Sequence, residues 1–404
     1  MKTVLFYLQE KKIKIPSLSN FFIGLFIFNI IIDPANALFH TKQITFFLAL
    51  SSNIKKLKFN DFGLTVFLIF YISYFVSTYL MILRNIDYDS DFSNMYLTTF
   101  LTLLIFFIDS RKIAYKDIFN NTCLFIAFFT ILLGILLMKF PTLALLLEKN
   151  KTLGSIFFIT EYKKVLYWWL PSAYHRASAL MIIPYSLNVC DFLLKKEKKH
   201  LLKIICFGAA LFFTGARANM LAMILIFGII YWCDLFYNKK KLYISFIVLF
   251  VFLILSITLI YLVITVKNSS SNAKDLHIVS YWDLFSEHPS YMLIGMGPGS
   301  FFYTKGYNSL ATNTEMSYYE LIRMFGGLFS LFIILLYIRP LFYIKNIKDL
   351  RNISIGMGYI AYLFVAGTNP LLIGPTGFIA FWICNNYLKD FNEAKNGKYF
   401  ISNL

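Results

Sequence analysis

Four side chains stand out because each lies at the end of an apolar segment or in a polar segment between two of them. They are Arg176, Arg217, His277 and Glu315. A guanidinium group matches a phosphate or pyrophosphate through two parallel hydrogen bonds. A carboxylate or an imidazole can take a proton from a hydroxyl group as it reacts. These residue types predict a site that binds a phosphate and deprotonates a hydroxyl acceptor.

Each of the four also has a simpler interpretation. Arg217 closes a polar turn, and a charge at membrane depth costs about 2.5–3.5 kcal/mol on insertion scales; it can instead extend to the lipid headgroups. Arg176 can be an ordinary arginine that flanks an apolar segment. His277 can be a general base, a phosphate ligand or a surface imidazole. Glu315 can be the catalytic base or a carboxylate that the dipole of the next helix favours.

A second group of residues predicts glycan contacts: Tyr281, Trp282, Tyr319 and Arg323. Aromatic rings stack on sugar rings, although membrane interfaces are also rich in Tyr and Trp. Arg323 stands three residues after Glu320, and on a helix that spacing most simply indicates a structural ion pair.

The glycine-rich stretch 295–300 has the sequence Gly-Met-Gly-Pro-Gly-Ser. It lacks the third glycine and the βαβ setting of a dinucleotide-binding loop. Two interpretations remain open, an anion-binding nest of backbone amides and a tight re-entrant turn. No group of His, Cys, Asp or Glu has the spacing of a metal site, so the sequence predicts neither a metal nor another cofactor.

Composition identifies the class of protein. Of 404 residues 58% are hydrophobic and only 15% are charged, and many apolar runs approach the roughly 20 residues that cross a bilayer. The net charge of +17 comes mostly from short basic clusters between apolar runs. Such clusters mark cytoplasmic loops, so the sequence predicts cytoplasmic N- and C-termini, contact with membrane lipid and no nucleic-acid partner.

The apolar pattern predicts an all-α, polytopic membrane protein with about twelve transmembrane helices. It forms one integral membrane domain, 1–404, with two long loops on the outer side, 139–175 and 267–315. The predicted spans are 18–32, 43–53, 62–83, 95–108, 118–138, 177–194, 201–214, a segment ending at 236, 242–266, 316–338, 355–367 and 377–388.

Several motifs occur in one order and on one predicted membrane face. They are Arg-Ala-Ser-Ala-Leu at 176–180 with Pro184, Thr-Gly-Ala-Arg-Ala-Asn at 214–219, the segment from Trp282 to His288-Pro289 with 295–301, and 315–327 with its Tyr-Tyr-Glu-Leu core. Over roughly 170–340 the chain resembles the O-antigen polymerase and O-antigen ligase family of bacterial inner membranes.

The resemblance implies a C-type membrane glycosyltransferase fold and a metal-independent reaction at the periplasmic face. The substrates would be oligosaccharide repeats linked to undecaprenyl pyrophosphate, and a chain-length regulator protein would be a further partner. Arg217, which matches the arginine of the family's loop, would bind the donor pyrophosphate together with Arg176. Glu315 or His277 would be the catalytic base.

Two departures from the ligase pattern favour a polymerase. Ligases carry an arginine a few residues before the tryptophan of the Trp-to-Pro segment, where this chain offers Lys274 and His277. Ligases also carry a His-Asn pair where this chain has Glu315-Met316. A ligase that transfers glycan to lipid A core is the alternative. A flippase for lipid-linked oligosaccharides is an alternative of another class, although its outer loops would be short.

Overall fold

A computed structural model describes most of the chain, and the described part is mostly helical. The described residues are 18–34, 41–57, 59–108, 114–140, 142–150, 156–165, 168–237, 243–247, 249–250, 254, 257, 261, 269–344, 349–369 and 371–395.

The α-helices are labelled in chain order. They are α1 (Leu18–Ile32), α2 (Thr41–Ser52), α3 (Asp61–Leu83), α4 (Ser90–Phe100), α5 (Tyr115–Lys139), α6 (Thr142–Lys149), α7 (Ile182–Lys195), α8 (Lys198–Phe213), α9 (Arg217–Tyr237), α10 (Ser269–Glu287), α11 (Pro289–Ile294), α12 (Ser317–Ile338), α13 (Leu350–Gly367) and α14 (Pro375–Lys395). The strands are β1 (Phe157–Val165), β2 (Trp168–His175), β3 (Phe302–Thr304) and β4 (Ser309–Ala311).

Five helical segments among the described residues are long and apolar enough to cross a membrane. They are Asp61–Leu83, Tyr115–Lys139, Ser178–Lys195, Arg217–Tyr237 and Ser317–Tyr343. These match predicted spans to within a few residues. Helices are expected there because a helix satisfies its own backbone hydrogen bonds in lipid. The chain is therefore a mostly helical membrane protein.

The total of about twelve spans stays a prediction. The other predicted spans within the described residues correspond to helices that are shorter or less apolar, and 95–108 is divided between α4 and the 3₁₀ segment Leu101–Phe107. Most of 242–266 and the basic cluster at 11–14 lie outside the described residues. The orientation of the termini also stays a prediction.

Aromatic side chains fill the centre of the helical bundle. Phe70 of α3 packs on Phe100 and Phe378 with ring centroids 5.2 and 5.1 Å apart. Tyr337 of α12 lies 5.1 Å from Phe381 of α14. All five rings are buried. Tilted and edge-on ring pairs add to the stability from burial, so these contacts fix α14 against α3 and α12.

Small residues bring α7 and α13 close together. The Ser354 hydroxyl donates to the Ser186 carbonyl at 2.5 Å. Gly358 faces Ser186 so closely that an added Cβ would overlap its hydroxyl. Because α7 follows Arg176 in sequence, this contact holds the segment that begins there.

The segment 139–175 contains a β-hairpin that the all-α prediction did not include. Strands β1 and β2 pair antiparallel, with Phe157 opposite His175 and Ile159 opposite Ala173. Phe157, Ile159 and Ala173 are buried in a cluster with Leu133 of α5. Alternating apolar residues place one face of a strand on a neighbouring element, and here that element is α5.

The segment 267–315 contains α10, α11 and a second small hairpin, in which β3 pairs with β4. The glycine-rich stretch lies between α11 and β3. Gly295 and Gly326 both have φ of 75°, and Gly326 interrupts the helical geometry of α12. An added Cβ on Gly295 would lie 2.5 Å from the Met324 carbonyl oxygen. Glycine is therefore required at both positions by backbone conformation and by close approach.

The amides of the glycine-rich stretch bind to α12. The Met296 N–H donates to the Arg323 carbonyl at 2.5 Å, and the Gly297 N–H donates to the Met324 carbonyl at 3.1 Å. Amides used in this way are not directed at an anion. The geometry agrees with the interpretation as a tight turn and not with the anion nest.

Candidate active site

Two turns that carry the predicted phosphate-binding arginines lie side by side. Arg176 follows β2, and Arg217 begins α9. The Asn219 side-chain amide donates to the Ser178 hydroxyl and to the Thr214 hydroxyl, each at 3.2 Å. The buried bond between Asn219 and Ser178 joins the two turns, because Ser178 lies two positions after Arg176 and Asn219 lies two positions after Arg217. Both arginine side chains are partly exposed.

His175 fixes the backbone on both sides of Arg176. Its Nδ1 accepts a hydrogen bond from the Ala177 N–H at 3.1 Å, so the ring proton is on Nε2. That nitrogen donates to the Ile32 carbonyl at 3.1 Å. Complete burial lowers the pKa of His175 to about 4, against the opposing charge of Asp33. The imidazole is therefore neutral at ordinary pH and is a positioning residue.

The charges of an acid and of an arginine both act on Tyr174. Its pKa is raised to about 12, chiefly by burial; a hydrogen bond with the Ser178 hydroxyl and the charge of Arg176 lower the pKa, and the charge of Glu315 raises it. Glu315, which precedes α12, thus acts on the same phenol as Arg176. The Tyr174 hydroxyl keeps its proton at neutral pH and can donate a hydrogen bond.

Glu315 forms an ion pair that sequence reasoning did not place in the site. Its carboxylate lies 3.2 Å from Lys274 Nζ, and the two side chains are 43% and 27% exposed. Lys274 also donates to the Thr368 carbonyl at 2.7 Å, which ties α10 to the turn before α14. The helical spacing of Lys274 and His277, three residues apart on one face, was the available signal.

His277 is buried, so its interpretation as a surface imidazole is wrong. The side chain is 1% exposed, and its Nδ1 lies 2.5 Å from the Thr304 hydroxyl. The ring meets the Tyr307 ring at a centroid distance of 4.4 Å. Burial lowers the pKa of His277, and the charges of Glu315 and Glu320 oppose that shift. The ring joins α10 to the second hairpin.

The buried ion-pair network consists of Tyr281, Thr314, Glu320 and Arg323. Nε and Nη2 of Arg323 donate to one Glu320 carboxylate oxygen at 3.0 and 2.8 Å. The other carboxylate oxygen accepts from the Thr314 N–H at 2.8 Å and from the Tyr281 hydroxyl. The prediction of a structural ion pair between Glu320 and Arg323 is confirmed.

Arg323 has no donor left for a glycan. Besides Glu320, it donates to the Ser300 carbonyl at 2.9 Å, to the Ser300 hydroxyl at 2.6 Å and to the Thr312 carbonyl at 2.6 Å. The side chain is 0% exposed, as is that of Tyr281. The predicted glycan contacts of Arg323 and Tyr281 are therefore wrong, because both side chains are used inside the protein.

Trp282 and Tyr319 are more accessible. Trp282 is 57% exposed, and at 100° per residue it lies about 80° around α10 from Lys274, the partner of Glu315. Tyr319 is partly exposed and stacks on Tyr281 with ring centroids 5.2 Å apart. A glycan contact by either residue stays a prediction.

Together the geometry gives one group of candidate residues on four segments: the end of β2, the turn before α9, α10 and the residues before α12. Within the described part of the chain, no group of three or more His, Cys, Asp or Glu side chains is arranged to hold a metal ion. No protein-family model matches the sequence, no curated protein matches it, and no solved structure matches the fold.

Proposed function

We propose that this chain is a glycosyltransferase of the bacterial inner membrane that polymerises undecaprenyl-pyrophosphate-linked oligosaccharide repeats at the periplasmic face. One observation supports it above the others: the Asn219–Ser178 hydrogen bond holds the turns of Arg176 and Arg217 side by side, and the charges of Arg176 and Glu315 both act on Tyr174. Two phosphate-binding cations and a proton acceptor are thus brought toward one end of an apolar span. A reaction that deprotonates a hydroxyl while a pyrophosphate leaves needs both groups there.

The donor is the growing glycan on undecaprenyl pyrophosphate. Arg217 and Arg176 hold its pyrophosphate, and the Asn219–Ser178 hydrogen bond keeps their two turns in register. A guanidinium group suits this role because its planar donors match two phosphate oxygens at once. The polyprenyl chain stays in the bilayer beside the spans.

The acceptor is the non-reducing-end hydroxyl of a new lipid-linked repeat. Its oxygen attacks the anomeric carbon of the growing glycan while Glu315 takes its proton. The bond from that carbon to the pyrophosphate oxygen breaks, and undecaprenyl pyrophosphate leaves with the electron pair. The arginines stabilise the charge that develops on the leaving group, and Lys274 orients the Glu315 carboxylate.

Glu315 is a better base than His277 because of exposure. The Glu315 side chain is 43% exposed, whereas His277 is 1% exposed and is bonded to Thr304. A hydroxyl on a bulky glycan reaches the first group and not the second. His277 is then a positioning residue for the loop that carries Lys274. The Glu315-Met316 pair, in place of the His-Asn pair of ligases, favours polymerisation over transfer to lipid A core.

The experiment begins with deletion of the gene in its host and inspection of surface polysaccharide on a gel. A polymerase mutant leaves lipid A core capped with a single repeat, a ligase mutant leaves uncapped core, and a flippase mutant accumulates lipid-linked repeats on the cytoplasmic side. Complementation then compares Arg217→Ala with Arg217→Lys, which keeps the charge but not the fork.

The matched control is Lys305→Ala, which removes a positive charge from the segment 267–315. Lys305 pairs with Asp283 where both side chains are close to half exposed, outside the site. We expect a full ladder of chain lengths with the control and none with Arg217→Ala. A full ladder with Arg217→Ala would overturn the proposal.

A further inference from the structure

Helix α11 exposes large apolar side chains although it belongs to a predicted outer loop. Met292 is 47% exposed, Leu293 is 70% exposed and Ile294 is 40% exposed. No residue of this helix is buried. Contiguous exposed apolar groups mark a surface that something other than water covers.

The position of α11 along the spanning helix α12 indicates what covers its exposed side chains. An added Cβ on Gly327 would lie 3.2 Å from the Met292 carbonyl oxygen, so the end of α11 lies directly on this glycine. The apolar residues of α12 end at Ile338, and a 3₁₀ turn continues the helical segment from Arg339 to Tyr343. A helix crosses the hydrocarbon core in about 20 residues, which reach back to Met324 when counted from Tyr343 and to Tyr319 when counted from Ile338. Gly327 lies inside the hydrocarbon region by either count.

A second span gives the same level independently. Arg84 directly follows the apolar helix α3, and its Nη2 donates to the Gly295 carbonyl at 2.5 Å. The guanidinium group also lies 5.3 Å from the centre of the Tyr291 ring. Arginine and tyrosine are the residues that sit where hydrocarbon meets headgroups. The C-terminal half of α11 thus lies near the membrane interface.

The exposed surface of α12 continues that of α11. No residue of 317–327 is exposed. Exposure on α12 begins with Leu328 at 60% and continues with Leu331 at 52% and Leu335 at 47%. This stripe has the spacing of one helix face and is the lipid-facing side of a spanning helix. The patch on α11 lies where the stripe begins.

The irregular backbone that follows α11 can lie within the hydrocarbon region because protein covers it. Non-helical backbone is tolerated in the hydrocarbon region only where protein covers it. Residues 295–300 are all buried, and their first amides are bonded to α12 carbonyls. The three consecutive apolar side chains at the end of α11 are exposed, and so are Pro289 and Ser290 at its start.

We infer that α11 is an interfacial helix whose Met292, Leu293 and Ile294 side chains insert among the acyl chains of the bilayer. The partner is membrane lipid, and the contact fastens the loop that carries Lys274 and His277 to the membrane surface. The inference concerns where the loop lies and does not depend on the proposed reaction.

The experiment uses the purified full-length chain in liposomes of phosphatidylethanolamine and phosphatidylglycerol. A nitroxide is attached to Leu293→Cys or, as the matched control, to Leu310→Cys on β4, which is 66% exposed. Cys206 is replaced by Ala in both variants and in a third without an added cysteine, since the other four native cysteines are buried. Collision of the nitroxide with oxygen, which concentrates in lipid, is compared with collision with a water-soluble nickel chelate.

We expect the label at 293 to collide several-fold more with oxygen than with nickel, and the label at 310 to show the opposite preference. Equal access of nickel to both positions would overturn the inference and place α11 in water. Low access of both reagents at 293 would also overturn it, because a protein surface would then cover the helix. If Leu293→Cys does not fold, Met292→Cys carries the same label.

Discussion

Two glutamates near the start of α12 lie in contrasting surroundings. Glu320 is 4% exposed and accepts hydrogen bonds from Tyr281, Thr314 and Arg323. Glu315 is 43% exposed and pairs with Lys274. The two carboxylates are five residues apart in the sequence, yet only one of them can be reached by a substrate.

The difference gives the two carboxylates separate roles: Glu320 stabilises the fold, and Glu315 is available to react. A buried ion pair is held together by the desolvation cost of leaving either member alone, so Glu320 and Arg323 are bound to each other and to the fold. An exposed pair is worth about 0–1 kcal/mol, so Glu315 can leave Lys274 for a substrate hydroxyl at little cost. The buried network keeps the glycine-rich stretch and the second hairpin in place, and Glu315 is presented at its edge.

The largest expected effect on stability comes from Arg323→Ala. Removing one member of a buried pair costs about 3–5 kcal/mol, because the other charge stays buried and uncompensated. Thermal unfolding of the purified protein in detergent should show a lower Tm and a lower yield. Lys305→Ala, which breaks an exposed pair, serves as control and should change the Tm little. Equal Tm values for the two variants would show that the buried network does not hold the loop.

The next effect concerns the pH dependence of stability at His175. Its pKa of about 4 in the folded protein lies below the ordinary value of about 6.5 for an unfolded chain. The unfolded state therefore binds a proton first, so stability is complete above pH 6.5 and falls as the pH drops toward 4. At 1.36 kcal/mol per pKa unit the loss is about 3 kcal/mol over that range.

Denaturant unfolding from pH 7 to pH 4.5 measures this loss. His175→Gln, which does not titrate, should show a flatter dependence on pH even where its absolute stability is lower. An equally steep dependence in the variant would assign the proton uptake to another group. In the same His175→Gln variant the turn that carries Arg176 is held less firmly, so the KM for the donor should rise by a larger factor than kcat falls.

The smallest expected effect on stability comes from Lys274→Ala. The Lys274–Glu315 pair is partly exposed, so its loss should change the free energy of unfolding by about 1 kcal/mol or less. The rate of polymerisation should fall by a modest factor, because Glu315 loses only its orientation. A destabilisation as large as that of Arg323→Ala would show that Lys274 stabilises the fold. The Glu315 pair would then be as important for stability as the Glu320 pair.

The sequence predicted the parts that depend on local pattern. The apolar runs located the five long spans, and the three-residue spacing indicated the Glu320–Arg323 pair. The β1–β2 hairpin was not predicted, because its strands are stabilised by α5, which lies far from β2 in the sequence. Tyr281 was wrongly predicted as a glycan contact, and the pairing of Lys274 with Glu315 was not predicted. The reason is the same in both cases: their partners, Glu320 and Glu315, lie far away in the sequence, on α12 and directly before it.

One paired measurement tests the central claim most directly. Glu315→Gln and Glu320→Gln change the two carboxylates by the same isosteric step, and each purified variant is assayed for unfolding and for polymerisation of lipid-linked repeats. We expect Glu315→Gln to unfold like the wild type and to be at least about 100-fold slower, the scale of a lost general base. We expect Glu320→Gln to unfold at a clearly lower temperature. Full activity of Glu315→Gln, or wild-type stability of Glu320→Gln, would contradict the account.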